Sequence, residues 1–246
     1  MLKTVIYLFF LLISLSCFKN PGLIKYKYLE LQEVHHLDIE DPSGLSRSHL
    51  PDHLFTVSDN SGKIYLINLQ GEIIQKIDVN GDDLEGIEYL EEDSIIYVLE
   101  ERLKWVISLK TDGTVIDTFL LDIPNLNVND GPEGIAYNPV EKHFYIVNEK
   151  NPSKLYVYDS LFNLLSEYKL GFATDYSSAD FEQQDNYLWI LSHESKILAR
   201  CNVQGVPDIL YYTGVPKGEG VVVDSANQRV YIVCDLTSNL YIFKMP

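Results

Sequence analysis

Cysteine is scarce in this 246-residue sequence, with only Cys17, Cys201 and Cys234. Three are too few for a disulfide framework, and Cys201 and Cys234 fall at dissimilar places in neighbouring repeats, which disfavours a bridge between them. Positive charge is also short: 19 Lys and Arg stand against 36 Asp and Glu, for a net charge of −17. A surface of that sign repels phosphate backbones, and there is no long basic run, so nucleic acid is excluded as a partner. The short Arg102-Leu103-Lys104 stretch reads as a hairpin turn. No His or Cys cluster has the spacing of a zinc site. No linker, low-complexity tract or amphipathic helix marks a second domain. The one early apolar run, Val5 to Leu15, is too short to favour a membrane span.

That run has another use. With Lys3 before it and Ser14-Leu15-Ser16-Cys17 after it, residues 1–16 read as a lipoprotein signal peptide that leaves Cys17 as a lipidated N-terminus. Ser14 departs from the aliphatic residue usual three places before the cysteine. Residues 17–24 are then a tether and 25–246 a single domain. Cleavage removes Lys3 and no acid, so the mature chain is more negative still. The expected location is the cell envelope, with a lipid anchor in the outer membrane or on the periplasmic side of a membrane.

The body of the chain is repetitive. Five stretches open on a short turn and run into apolar residues: Pro42-Ser43-Gly44-Leu45, Leu84-Glu85-Gly86-Ile87, Pro132-Glu133-Gly134-Ile135, Ser178-Ala179-Asp180-Phe181 and Gly218-Glu219-Gly220-Val221. Taking Gly44, Gly86, Gly134, Asp180 and Gly220 as equivalent spaces them about 40–48 residues apart, the period of propeller blades. Each is followed by a strand rich in β-branched and aromatic residues, at 54–58, 95–99, 144–148, 188–192 and 230–234. A third strand follows at 63–69, 104–109, 154–158, 197–202 and 239–243. Turns such as Gln70-Gly71, Asp112-Gly113 and Gln204-Gly205 lead into a fourth. The fifth copy has no fourth strand before Pro246, and an open edge is costly. The segment 26–37 is strand-like and is expected to supply it. The fold class is therefore all-β: a five-bladed β-propeller of four-stranded antiparallel blades, closed by an N-terminal strand.

These openings, with Leu54-Phe55-Thr56-Val57-Ser58-Asp59-Asn60, Gly62-Lys63-Ile64-Tyr65, Asp83-Leu84-Glu85-Gly86-Ile87, Glu133-Gly134-Ile135-Ala136-Tyr137-Asn138-Pro139 and Glu149-Lys150-Asn151-Pro152, resemble the SdiA-regulated family of bacterial propellers. The resemblance runs from about residue 30 to the C-terminus. It implies five blades, a calcium site, a place outside the cytoplasm and no established enzymatic activity. It also implies an acid after Ser192, where this chain has His193. A neutral imidazole is a poor ligand for a hard cation, so the fourth blade's share in such a site is in question.

Read without the family, the repeats stack acids. One aligned set is Ser43, Glu85, Glu133, Ala179 and Glu219. Another, at the end of the second strand, is Asp59, Glu100, Glu149, His193 and Asp235. Blades radiate with their first strand innermost, so both sets converge on the axis. Crowded carboxylates are relieved by raised pKa values or by a bound cation. Calcium accepts six to eight oxygens in loose geometry, which makes Asp59, Glu85, Glu100, Glu133, Glu149, Glu219 and Asp235 its candidate ligands. The plainer reading is that these acids are solvated, or that the glutamates anchor neighbouring blades. His35, His36, His53 and His143 read as strand ends or turns, and Trp105 and Trp189 as packing between blades. Ser192-His193-Glu194 cannot be a triad, because successive strand residues face opposite ways.

The expected role is a binding or scaffold module that holds calcium at the channel and presents loops to a protein or small-molecule ligand. The alternative is a calcium-dependent hydrolase acting on a lactone or phosphoester. There Asp59, Glu85, Glu133 and Glu149 would hold the metal and His193 would serve as general base.

Overall fold

The computed structural model describes residues 24–79, 81–124, 127 and 129–246; the signal segment and Cys17 lie outside them. The chain enters through β1 (Lys25–Tyr28) and β2 (Glu30–His36). Blade one is β3 (Pro42–Arg47), β4 (His53–Ser58), β5 (Lys63–Asn68) and β6 (Ile73–Asp78). Blade two is β7 (Leu84–Leu90), β8 (Ile95–Glu100), β9 (Trp105–Lys110) and β10 (Val115–Leu120). Blade three is β11 (Pro132–Asn138), β12 (His143–Asn148), β13 (Lys154–Tyr158) and β14 (Leu164–Lys169). Blade four is β15 (Ser178–Glu182), β16 (Tyr187–Ser192), β17 (Ile197–Cys201) and β18 (Pro207–Tyr212). Blade five is β19 (Gly218–Asp224), β20 (Arg229–Cys234) and β21 (Asn239–Lys244), completed by β2.

The five-bladed antiparallel ring and its closure by the N-terminal strand are as the repeats predict. Glu30 pairs with Lys244 and His36 with Asn239. One detail differs. The segment 26–37 is two strands, not one, and β1 pairs in parallel with the outer strand β18, giving blade four a fifth strand. Buried Leu29 is the pivot between them, and its amide donates to the Tyr212 carbonyl at 3.2 Å.

Second strands are buried on both faces, in keeping with their apolar runs, and inner strands are largely buried despite their polar residues, whereas outer strands such as β6 and β14 alternate. The core consists of five apolar clusters, each between two successive blades. One joins Tyr145, Val147 and Leu155 to Phe181, Leu188 and Ile190; another closes the ring between Leu45, Leu54 and Ile67 and Val222, Val233 and Ile242. Trp189 lies in such a cluster against Tyr211, but Trp105 sits on the surface at 38% exposure. Cys201 and Cys234 are buried free thiols.

The repeat glycine has a packing reason. A Cβ on Gly44 would stand 2.4 Å from the Glu85 carbonyl of blade two, and one on Gly220 would stand 2.5 Å from the backbone of Gly44. Both are closer than real atoms allow, so the inner strands can approach this near only without side chains there.

Candidate metal centre

Register shifts at the start of the inner strands position the acids. Pairing skips from Pro132 to Gly134 in blade three and from Gly218 to Gly220 in blade five, leaving Glu133 and Glu219 out of the ladder. Blade two skips from Leu84 to Ile87 and blade one from Ser43 to Leu45. Such bulges re-aim the extra side chain. Here they turn carboxylates toward the channel mouth.

Blade four corrects the repeat alignment. Ser178 faces Leu191 as Gly134 faces Val147, so Ser178, not Asp180, holds the glycine position. The axial residue of blade four is therefore Ser177, not Ala179, and its hydroxyl donates to the Gly218 carbonyl at 2.8 Å. The first tier is Ser43, Glu85, Glu133, Ser177 and Glu219.

Blade two corrects the second set. Glu100 pairs with Leu84 as Asn148 pairs with Pro132, so it belongs with the buried residues Ser58, Asn148 and Ser192 that cap the following turn. Its carboxylate accepts from the Leu103 amide at 2.6 Å, much as Ser192 accepts from Ser195 and Ser58 from Ser61. Glu100 is not at the mouth; the next residue, Glu101, is. The second tier is Asp59, Glu101, Glu149, His193 and Asp235.

A third tier lies two residues before the first: Asp41, Asp83, Gly131, Asp175 and Lys217. The sequence carries its signal in Asp41-Pro42-Ser43, Asp83-Leu84-Glu85 and Asp175-Tyr176-Ser177. Backbone bonds tie the third tier to the second in four blades: Asp59 to Asp41, Glu101 to Asp83, Glu149 to Gly131, and Asp235 to Lys217.

Most of these residues line a cavity of about 280 Å³ that holds nine carboxylates, from Asp41, Asp59, Asp83, Glu85, Glu101, Glu133, Glu149, Glu219 and Asp235. Against them stand Arg102, Lys217 and His193, and Lys150 pairs with Glu149 at 2.8 Å. Arg102 reaches Asp83 at 3.0 Å, and Lys217 pairs with Asp235 and lies 3.4 Å from Glu219. Ser43 donates to Glu85 at 2.5 Å, and the Gly131 amide donates to Glu101 at 2.7 Å. The balance still favours negative charge. Burial, reinforced by neighbouring acids, holds the Glu85 and Glu133 carboxyls far above the usual range. Burial and Asp83 push Asp59 up to about 6, and burial lifts Glu101 to about 8 despite its Gly131 hydrogen bond. Glu133 Oε2 is buried with no hydrogen-bond partner.

Two ligand-sized groupings stand out. Oxygens of Asp59, Asp83 and Glu85 lie within 4.8 Å of one another, and so do atoms of Glu149, Asp175 and His193. They differ in kind. Asp175 is fully buried, accepts from the Ser192 hydroxyl and from the His193 and Glu194 amides, and sits 2.9 Å from His193 Nδ1. Glu219 lies 3.5 Å from the same nitrogen. Burial opposes charge on His193, but the two carboxylates outweigh it and push its pKa to about 10. An imidazolium offers no lone pair to a metal, so blade four contributes a cation to the ring, and the oxygen-only grouping on blades one and two is the better cradle.

The channel's other end is built differently. Arg47, at the end of β3, crosses to Asp180 of β15 with contacts of 2.8 and 3.3 Å, and it also donates to the Val223 carbonyl. The Val223 amide donates to Asp180 at 2.8 Å. One bidentate pair thus links blades one, four and five. Above it opens a cavity of about 880 Å³ walled by Tyr89, Tyr137, Phe181, Glu88 and Glu182.

A profile of the SdiA-regulated family matches residues 22–244. Among solved structures, Myxococcus xanthus glutaminyl cyclase superposes with a TM-score of 0.71 at 10% identity, covering 90% of this chain and 97% of that one. Virginiamycin B lyase from Staphylococcus aureus gives 0.52 at 16% identity, over 89% of this chain and 75% of that one. Its catalytically inactive variant with quinupristin gives 0.51 at 15%, over the same shares. At such identities these likenesses speak for the fold alone.

Proposed function

The chain belongs to the SdiA-regulated family, and from that premise we propose that it is a lipid-anchored envelope protein that binds calcium at the acidic mouth and serves as a binding or scaffold module. The observation that carries the reading is the buried, unpartnered Glu133 Oε2 within a cavity of nine carboxylates. Leaving such an oxygen unpaired is costly, and a cation supplies the missing partner. The donors suit calcium: they are carboxylate oxygens from several blades, with Ser43 beside them and no thiolate. Asp59, Asp83, Glu85 and Glu133 are the residues that would hold it. When bound, it would supply positive charge that draws adjacent blades together and offers an open coordination position to an oxygen-bearing ligand.

The anchor at Cys17 and the envelope location follow from the signal-like N-terminus, and the natural partner is a protein or small molecule reached through the mouth loops. A hydrolase reading requires His193 as a base. Asp175 at 2.9 Å and Glu219 at 3.5 Å from its Nδ1 favour the charged form, which weakens it as a base.

The test is thermal unfolding of residues 18–246 in chelator and then across a calcium titration, with magnesium as control. A ligand bound only by the folded state stabilises it by about 2.7 kcal/mol at a hundred times its Kd. A calcium-selective rise that Glu133→Gln removes supports the site; no rise up to millimolar calcium refutes it.

A further inference from the structure

β1 is the outer strand of blade four, and its far edge pairs with no other strand among the described residues. Its sequence alternates as Lys25-Tyr26-Lys27-Tyr28. Tyr26 and Tyr28 are 75% and 73% exposed, and Tyr28 meets half-exposed Tyr212 edge-on at 5.9 Å. Lys27 lies over the Tyr211 ring at 5.7 Å. Neither Lys25 nor Lys27 pairs with a carboxylate among the described residues. In a chain of net charge −17 this is an unusual strip, basic and tyrosine-rich. Other highly exposed apolar side chains, Leu120 on blade two, Val140 and Leu161 on blade three and Leu236 on blade five, carry no such run of alternating lysines.

We infer that this exposed edge, with tyrosines on one side of the strand and lysines on the other, is what the propeller lays against an anionic lipid bilayer. Tyrosine suits the headgroup level because its ring is apolar and its hydroxyl wet, and lysines there are drawn to anionic lipid. Reach points the same way. From Cys17 to Ile24 is seven steps along the chain, at most about 25 Å fully extended. A lipid on Cys17 therefore holds the start of β1 within about 25 Å of the surface. The strongly acidic remainder of the surface is repelled by the same headgroups, which favours contact through this strip alone. The channel then opens beside the membrane and not into it.

This inference rests on the anchor proposed at Cys17, so its test supplies the tether independently. Residues 18–246, which include the whole closed ring, carry an N-terminal hexahistidine tag. They are held on vesicles of phosphatidylcholine, 30% phosphatidylglycerol and a nickel-chelating lipid. A bimane is attached at Glu30→Cys, beside the strip, or at Leu120→Cys on blade two, and nitroxide-labelled lipid is the quencher. We expect quenching at position 30 to exceed that at 120 by roughly threefold or more, and Lys25→Glu with Lys27→Glu to bring the two together. Equal quenching at both positions would overturn the inference, as would pairing of two chains through β1 in sedimentation at the same concentration. Mass analysis of the mature N-terminus tests the anchor itself, and loss of the lipid there leaves the quenching result standing.

Discussion

The two ends of the channel meet the same difficulty, charge brought together by the convergence of five inner strands, and resolve it in opposite ways. At the Arg47 end, a guanidinium from blade one and a carboxylate from blade four neutralise each other, and Val223 satisfies both through its backbone. At the mouth, nine carboxylates face Arg102, Lys217 and His193, with Lys150 paired to Glu149, and the buried Glu133 Oε2 has no partner. The first arrangement is self-contained. The second is complete only with protons or an added cation, so it responds to solution conditions and the first does not.

That contrast is most sharply broken at Arg47. Arg47→Met leaves Asp180, 3% exposed, without its cation. The loss of a partner to a buried charge should lower unfolding free energy by about 3 kcal/mol, the guanidinium's own partial exposure keeping it at the low end of such losses. Denaturant unfolding with and without calcium checks this, and the calcium-dependent increment should be retained.

Glu133→Gln should act with the opposite sign. In chelator it removes one of the mutually repelling carboxyls and raises the thermal midpoint; in calcium it abolishes the increment of about 2.7 kcal/mol expected at a hundredfold Kd. A variant that loses stability in chelator would mean that Glu133 is a structural anchor between blades.

The third expectation concerns pH. Glu101 titrates near 8 in the folded chain, against an ordinary value of 4.5, so the folded state holds a proton that the unfolded state has released. Its stabilising share is complete below about 4.5 and is lost as pH rises through about 8. Glu85 and Glu133 shift in the same direction, and His193, raised from 6.5 to about 10, extends the decline. The metal-free protein should therefore lose stability as pH rises from 4.5 to 10, with the slope flattened by calcium below about 8. A midpoint that rises across that interval would contradict the charge balance given for the mouth.

The smallest effect separates two adjacent residues. Glu100→Gln keeps an oxygen for the Leu103 amide and should leave the calcium response unchanged, with stability altered by roughly 1 kcal/mol or less. Glu101→Gln should weaken the response. Parallel calorimetric titrations of the two variants make the comparison.

The same pair shows where sequence reading stops. Blade number, strand order and the N-terminal closure were legible because they depend on periodic apolar runs and on turn residues. The positions of Asp59, Glu85, Glu133, Glu149, Glu219 and Asp235 around one cavity followed from equivalence in the repeat. Glu100 misled because the bulge in blade two spans Glu85-Gly86, and counting along β8 cannot tell which of two consecutive acids follows the last ladder pair. Blade four misled because Ser177-Ser178 replaces the Glu-Gly pair, leaving Asp180 as the conspicuous residue, although its work is at the opposite end. Lys217 and His193 were hard to assign because a search for like residues at like positions does not look for the opposite charge.

The closing strand has a consequence for how the molecule is made. Glu30 and Lys244 lie opposite each other in the finished sheet but are separated by nearly the whole chain. β2, made near the start, must wait for β21, made last among the described strands, and no earlier stage can complete blade five. Loop closure over that distance comes late and slowly. Until then β21 and β2 are open edges, exposed to pairing with other chains. The polar side chains of Glu30, Gln32 and Glu33, which contribute little to the folded core, are what make β2 a poor template during that wait.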